Sequence, residues 1–418
     1  MGRLARNLLI LAVGFALLAA AATAAVLIDH DASPSPTSIA APQDPSLRSV
    51  VAPAADAGTA VDTARLPAAS LFVAPTGDDD RACTREEPCA TLERAYHRAR
   101  PGQVAELAAG SYPPQVITPD AGKTATGCVS RSRAAACVTF APAAGAAVKL
   151  ASVTFGQSYD KPGPRGIALV GGGDRRLEVG ATVFNQAAEV GVRGARQQML
   201  YITGGRDLAI RGGSVGGLTS PDGAHPEIQR VYGSDPLIVP TRLTIEGVLF
   251  HDINTTSPTA HVDCLQIENG RGLVVRGNRF ERCGSVGLRM SYGADGGDAP
   301  PEHVLIEDNV FAPCADTPVS DCYYSAQLGV GHHVTVRNNT SNQAFQPAGG
   351  TEYARDVRYE RNLAPGVTCE PNVTYVKNVW TEAACSASDR KVRSLGLAPG
   401  LRGPSTIAPQ AGARQLTP

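Results

Sequence analysis

The sequence has almost no net charge, because 38 basic residues oppose 39 acidic ones and leave a formal charge of −1. Lysines are few, so a basic surface of the kind that binds nucleic acid is not expected. No two cysteines have the short gap of a zinc knuckle. Helical periodicity is almost absent, whereas glycines number 44. These absences argue against a helical bundle, a zinc finger and a nucleic-acid-binding domain.

The sequence does contain a repeat of eight residues. Its copies begin at Leu243, Leu273, Val304, Val334, Val357 and Val373, with a forerunner at Leu208. The first and third positions are apolar, which is the period of a strand with one buried face. The sixth position is asparagine in five consecutive copies, at Asn278, Asn309, Asn339, Asn362 and Asn378. A buried amide can bond to the same amide one coil above and one below, so we predict an asparagine ladder that belongs to the scaffold.

The distance between copies shrinks toward the C-terminus while the strand pattern stays constant. This indicates a coil of fixed geometry with loops of variable length. A second apolar segment precedes most copies, for example Cys264–Glu268 and Val286–Ser291. Two short strands per coil with Gly and Asn at the corners predict an all-β solenoid, a single-stranded parallel β-helix. A sandwich or a propeller does not predict asparagines in register.

Three segments near the start of the folded part form a recognisable series: Leu71–Asp78, Glu87–Ala95 and Ala99–Tyr112. They resemble the opening of right-handed parallel β-helix proteins of the pectin-lyase-like superfamily, with Gln103 where that family often has Asp. The resemblance covers roughly residues 70 to 390 and implies a capping helix before the first coil. The apolar stripe of that helix is Leu92, Ala95 and Ala99. The resemblance implies no single chemistry, because the superfamily includes lyases, hydrolases, epimerases and non-catalytic adhesins.

The chain divides into four parts. Residues 1–28 place two arginines before an apolar run long enough to span a bilayer, so we expect a membrane anchor or a cleaved signal peptide. Residues 29–69 are an Ala/Pro/Ser-rich linker that we expect to be disordered. Residues 70–394 form the β-helix domain and residues 395–418 a C-terminal tail. Either role of the first part exports the rest, and we expect a monomer outside the cytoplasm, anchored in the membrane or secreted.

Ten cysteines in an exported chain predict disulfides. Close spacing pairs them as Cys83–Cys89, Cys128–Cys137, Cys314–Cys322 and Cys369–Cys385. Cys264 and Cys283 remain as a fifth pair, although their positions in the repeat do not match.

Outward side chains of the second strand form a polar column when the coils are aligned on the repeat. Its members are Tyr201, Gln266, Arg289 and Gln327. The intervening coil offers Gln229, Arg230 or Tyr232, of which we assign Arg230, and a neighbouring column holds Thr203, Glu268 and Ser291. Amides bond hydroxyls, aromatic rings stack on sugars and arginine pairs carboxylates, so these columns suit a polysaccharide. The alternative is that they are only the solvated faces of strands.

One segment, Ala260–Glu268, concentrates titratable groups, and the loop before it adds His251 and Asp252. Its His-x-Asp-x-x-Gln arrangement, with His261 and Asp263, resembles one found in many bacterial exported β-helix proteins. Polar groups packed at a strand entry cost stability unless they bond to one another, so their clustering suggests a functional site. The alternative is that His261 and Asp263 bond to each other and to the backbone to fix the loop.

Two mechanisms can use this cluster. Elimination from a uronate polymer needs a base, Arg289 or His261, and calcium is a possible cofactor held by Asp252, Asp263 and Glu268. Lyases of the resembled fold often use a Lys or Arg base, which here leaves Arg289. Hydrolysis would instead use a carboxylate pair from the same three acids, with a separation that sets the stereochemical outcome.

The sequence therefore predicts an exported β-helix protein that acts on extracellular or cell-envelope polysaccharide, with lyase-like or hydrolase-like activity. The alternative is a non-catalytic surface β-helix that binds glycan or an envelope partner. His332 and His333 lie at the turn before a repeat copy, and we interpret them as a corner rather than as a metal site.

Overall fold

The computed structural model describes residues 66–229, 238–291, 300–312, 324–328, 330–346, 354–382, 384–397, 401 and 411–413. One α-helix, α1 (Leu92–Arg98), and a 3-10 turn at Ala134–Ala136 accompany the strands. The strands are β1 (Leu71–Val73), β2 (Val104–Leu107), β3 (Gly110–Tyr112), β4 (Gln115–Ile117), β5 (Val138–Pro142), β6 (Ala147–Phe155), β7 (Arg165–Val170), β8 (Arg176–Phe184), β9 (Ala188–Arg193), β10 (Arg196–Ile202), β11 (Gly205–Arg211), β12 (Ser214–Ser220), β13 (Glu227–Ile228), β14 (Pro240–Glu246), β15 (Leu249–Thr255), β16 (Leu265–Ile267), β17 (Arg271–Arg276), β18 (Arg279–Cys283), β19 (Leu288–Met290), β20 (Glu302–Glu307), β21 (Val310–Phe311), β22 (Ala326–Gln327), β23 (Gly331–Arg337), β24 (Thr340–Ser341), β25 (Phe345–Gln346), β26 (Ala354–Glu360), β27 (Val373–Val376), β28 (Val379–Trp380) and β29 (Arg390–Lys391).

The strands stack in parallel into three faces. The first face is a twelve-stranded sheet, in the order β1-β2-β5-β7-β9-β11-β14-β17-β20-β23-β26-β27. The long strands β6, β8 and β10 then divide: the start of β10 pairs with β12 and its end pairs with β13. From there β12-β15-β18-β21-β24 make the second face and β13-β16-β19-β22-β25 the third face. The chain is a right-handed parallel β-helix, as predicted, but each central coil carries three strands rather than two.

The eight-residue repeat bridges two faces. In the copy from Leu273, the first four residues end β17, and the last two, Arg279 and Phe280, begin β18 on the second face. Asn278 occupies the corner between them. The predicted ladder is present: Oδ1 of Asn309 accepts from Nδ2 of Asn278 at 3.1 Å, and this step recurs through Asn339 and Asn362 to Asn378. All five side chains are buried. The sequence repeat therefore marks the corner as much as the strand.

Aromatic rings continue the register inside the coils. Phe250, Phe280 and Phe311 are fully buried and stack with ring centroids 4.9 and 5.0 Å apart. They stand at the same position of the second-face strands, since β15 pairs Phe250 with Phe280 and β18 pairs Phe280 with Phe311. This stack fills the narrow core behind the corner that the asparagine ladder lines.

Helix α1 precedes the first full coil. Thr91 is its N-cap and accepts a hydrogen bond from the Arg94 N–H, which satisfies one of the free donors of the first turn. Leu92, Ala95 and Tyr96 are buried in the same core as the strands. The stripe predicted from the sequence thus faces the β-helix, while its role as the cap of the solenoid stays a prediction.

Four of the predicted disulfides are present: Cys83–Cys89, Cys128–Cys137, Cys264–Cys283 and Cys369–Cys385. The remaining predicted pair, Cys314–Cys322, lies outside the described residues. Within the described residues no helix is long and apolar enough to cross a membrane. The predicted anchor and nearly all of the predicted linker lie outside them.

Candidate functional site

The predicted polar column lies on the third face. Gln266 on β16 is in register with Arg289 on β19, and Arg289 with Gln327 on β22. Their flanking residues point inward, since Leu265, Ile267, Leu288 and Met290 are almost fully buried. The alternation of a strand therefore places the polar residues outward, on one line across successive coils.

In the coil between Tyr201 and Gln266 the observed register differs from the one predicted from the sequence. Tyr201 is in register with Glu227, and Glu227 is in register with Gln266. Glu227 therefore occupies the column position for which the sequence offered Gln229, Arg230 or Tyr232. Gln229 lies two residues further along and donates to the Glu227 carboxylate at 3.1 Å, whereas Arg230 and Tyr232 lie outside the described residues.

His261, Asp263 and Arg289 converge at the entry to β16. Nη1 of Arg289 lies 2.5 Å from Nε2 of His261, and Nε2 of His261 lies 3.8 Å from Oδ2 of Asp263. The Asp263 side chain is fully buried, while that of His261 is 46% exposed. Oδ1 of Asp263 accepts from the Val286 N–H at 3.3 Å, whereas Oδ2 has no hydrogen-bond partner. Asp263 is thus a buried acid directed at an accessible histidine, not a residue saturated by backbone amides.

The contact with Arg289 fixes the protonation of His261. A guanidinium can only donate, so Nε2 of His261 must accept and the ring is neutral. Burial lowers the pKa of His261, and the Arg289 charge lowers it further against the opposing effect of Asp263. Burial likewise raises the pKa of Asp263, although His225, His261 and Arg289 oppose that shift. The site therefore holds a neutral imidazole, able to accept a proton, above a carboxyl that would stabilise the resulting cation.

Gln266 connects the cluster to its neighbours. Its Oε1 lies 3.0 Å from Nε2 of His225, and its Nε2 donates to Glu268 and to Ser291, each at 3.1 Å. The rings of His225 and His261 are 6.0 Å apart. His225 and Glu227 were missed by the sequence reasoning, because β13 is only two residues long. The signal that could have found them is Ile228, the inward residue that fixes the phase of this strand.

Glu227 and Glu268 form a carboxyl pair beside this network. Burial raises the pKa of Glu227, and the charge of Glu268 raises it further, whereas Gln229 and His225 oppose the shift. The protonated form of Glu227 is therefore favoured relative to that of an exposed glutamate.

Several other predicted site residues lie elsewhere or make other contacts. Asp252 bonds to Arg282 on the second face, at 2.6 and 2.8 Å, and to His251 at 2.6 Å. Asp252 has a positive φ of 52° within β15. Gln327 bonds to Gln346 in the next coil at 2.7 Å. Asp252, Asp263 and Glu268, the possible calcium ligands, do not form a metal-binding group among the described residues.

No protein-family model and no curated protein matches the chain. Among solved structures it is similar to the Streptococcus pneumoniae surface protein and adhesin PfbA, at 12% identity over 66% of this chain and 81% of that chain, with a TM-score of 0.41. It is also similar to an alginate lyase from Paenibacillus sp. str. FPU-7, at 16% identity over 69% of this chain and 96% of that chain, with a TM-score of 0.40. The pectate lyase Pel9A is 16% identical over 82% of this chain and 89% of that chain, with a TM-score of 0.38. At these identities the likeness concerns the fold alone.

Proposed function

We propose that this β-helix of the pectate-lyase-like fold cleaves a uronate-containing polysaccharide by elimination. One observation carries the proposal: Arg289 contacts the neutral, half-exposed His261, which stands over the buried Asp263. Three groups therefore lie within a few ångströms of one another. Arg289 is a cation for the substrate carboxylate, His261 is a base, and Asp263 stabilises the protonated base. This convergence is what a catalytic site requires and a merely solvated strand face does not.

The roles follow from the chemistry of each group. Arg289 cannot give up its proton in a protein, so it binds the uronate carboxylate and does not act as the base. Pairing to that carboxylate draws Arg289 from Nε2 of His261 and increases the acidity of the neighbouring C5–H bond. His261 takes the C5 proton, and Asp263 stabilises the imidazolium that forms.

The electrons of the C5–H bond form the C4–C5 double bond, and the C4–O4 bond breaks. The leaving oxygen takes a proton from Glu227, whose pKa is raised by burial. Tyr201 and Gln327 extend the column on either side and would bind neighbouring sugars. Arg230, which the sequence assigned to this binding role, stays a prediction.

Hydrolysis fits the geometry less well. Asp263 is fully buried and cannot attack a sugar, and Asp252 is bound to Arg282 on the second face. The remaining carboxylates, Glu227 and Glu268, already accept hydrogen bonds from Gln229 and Gln266, each at 3.1 Å. The four disulfides support an exported protein, because such bonds persist in oxidising compartments.

The test is incubation of the full chain with a panel of uronate and neutral polysaccharides, with calcium or with a chelator. The expected result is new ultraviolet absorbance from an unsaturated uronate, with uronate polymers only. His261→Gln should reduce the rate by about 10²–10⁴-fold, the usual contribution of a general base. His97→Gln, at an exposed histidine of α1, is the matched control and should leave the rate unchanged.

Two results would contradict elimination. Reducing ends without the absorbance would show hydrolysis. Binding without any product would show the non-catalytic glycan-binding β-helix that the sequence left as the alternative. If His261→Gln keeps the full rate of elimination, the assignment of the base is wrong.

A further inference from the structure

A second group of titratable side chains lies on the first face, outside the polar column. One ligand atom from each of Glu302, His303 and His333 lies within 4.8 Å of the other two. Glu302 and His303 begin β20, and His333 stands in the following strand, β23. The sequence suggested a simple corner at His332 and His333, but only His333 joins this group.

The backbone brings these side chains into line. His303, His333 and Asp356 have φ values of 55°, 56° and 55° and occupy the same position of three successive strands. His303 and His333 stack with centroids 4.7 Å apart and planes 8° from parallel. Such stacking makes no hydrogen bond between the rings. Two coils before His303, Arg242 occupies the same position and forms an ion pair with Asp207 of the preceding coil, donating to both carboxylate oxygens at 2.6 and 2.7 Å.

The neighbouring groups orient the ligand atoms. Oδ2 of Asp356 accepts from Nδ1 of His333 at 2.9 Å, which leaves Nε2 of that ring with its lone pair. A carboxylate in this position fixes the tautomer of metal-binding histidines. Arg271 binds Oε2 of Glu302 at 3.2 Å, while Oε1 lies 3.8 Å from Nε2 of His303. Each residue thus offers one possible ligand atom within 4.8 Å of those of the other two.

We propose that Glu302, His303 and His333 bind a divalent transition metal such as Zn²⁺, with Asp356 as the positioning carboxylate of His333. Two imidazoles and one carboxylate are a common three-ligand set for Zn²⁺, with a fourth position left to water. Since Zn²⁺ binds nitrogen and oxygen at about 2.0–2.2 Å, its ligand atoms lie within about 4.4 Å of one another. In a tetrahedral site the ligand atoms lie about 3.3–3.6 Å apart, so side-chain rotations that move these atoms by about 1 Å and turn one imidazole out of the parallel stack close this group on an ion. The metal would clamp β20 to β23 across two coils.

The test is calorimetric titration of the chelator-treated full chain with Zn²⁺, supported by the visible spectrum of the Co²⁺ form. We expect a site that His303→Asn and His333→Asn each remove, because asparagine tolerates a positive φ but is a poor zinc ligand. Asp356→Asn should weaken Zn²⁺ binding by about 10–100-fold, the usual effect of losing such a carboxylate partner.

His251→Asn is the matched control, because His251 is also held by a neighbouring carboxylate, Asp252, at 2.6 Å but belongs to no such group within the part of the chain that the structure describes. It should leave Zn²⁺ binding unchanged. The proposal is overturned if the wild-type chain binds no Zn²⁺, or if either His303→Asn or His333→Asn binds it as the wild type does. Circular dichroism of each variant before titration separates the loss of a ligand from the loss of the fold.

Discussion

Replacement of Asn309 by alanine tests whether the ladder stabilises the fold. Oδ1 of Asn309 accepts from the backbone N–H of Asn278 at 2.9 Å and from its amide at 3.1 Å. Its Nδ2 donates to the Val275 carbonyl at 2.9 Å and to Oδ1 of Asn339 at 3.0 Å. The side chains of all three asparagines are buried, so water cannot replace these bonds in the folded chain.

Alanine leaves the backbone N–H and one amide hydrogen of Asn278 without an acceptor. A buried polar group without its partner costs about 1–3 kcal/mol, so we expect the variant to lose about 2–6 kcal/mol of stability. That is a large part of the about 5–15 kcal/mol by which a typical domain is stable. Oδ1 of Asn339 keeps the hydrogen bond from the backbone N–H of residue 309, which limits the loss on that side.

Urea unfolding measures the overall change, and hydrogen exchange measures the local one at the Asn278 amide. Asn342→Ala is the control, because Oδ1 of Asn342 makes no hydrogen bond and its removal should cost less than about 1 kcal/mol. If Asn309→Ala costs no more than Asn342→Ala, or if the Asn278 amide keeps its protection, the ladder does not stabilise the coil.

Three further predictions concern acids and a disulfide. Burial raises the pKa of Asp263, so the stability that its protonated form contributes is present in acid and is lost as pH rises through the folded pKa. Asp263→Asn should therefore raise Tm at neutral pH and abolish elimination. A lower Tm would contradict this prediction. Arg282 lowers the pKa of Asp252 to about 2, so the stability that this ion pair contributes is lost as pH falls from about 4 to about 2. Asp252→Asn should remove this pH dependence of the free energy of unfolding, which amounts to about 1 kcal/mol or less because the pair is exposed. Replacing Cys264 and Cys283 by serine should lower the free energy of unfolding in urea by about 3 kcal/mol. Activity should also fall, because Asp263 adjoins this disulfide. Full activity in the variant would show that the bond does not position Asp263.

Much of the fold was predictable because solenoid coils repeat their packing. Apolar residues at the first and third repeat positions, such as Leu243 and Ile245, are buried, and the asparagine at the sixth position makes the ladder. The second face was not predicted as a separate strand. Its strands start on the last two residues of each repeat, so the pattern merged them with the corner.

The site was predictable where the third-face strands have clear inward neighbours, as at Gln266 and Arg289. It was missed at Glu227, where a strand of two residues gives no alternation to count. The location of Asp252 was also not predictable, although it lies close to His261 in sequence. A left-handed φ at Asp252 and its bidentate contact with Arg282 place its carboxylate in a different cluster.

The contrast between corner and third face bears on function. At the corner every ladder asparagine is bonded above and below, and the chain gains stability from each. On the third face the chain buries Asp263 with one oxygen unpaired, and it holds Glu227 beside a second carboxyl, both of which raise the free energy of the charged forms. A scaffold selected for stability alone would bond or replace these acids, as Arg242 bonds Asp207 on the first face. Their persistence around the neutral His261 is what a site that moves protons requires.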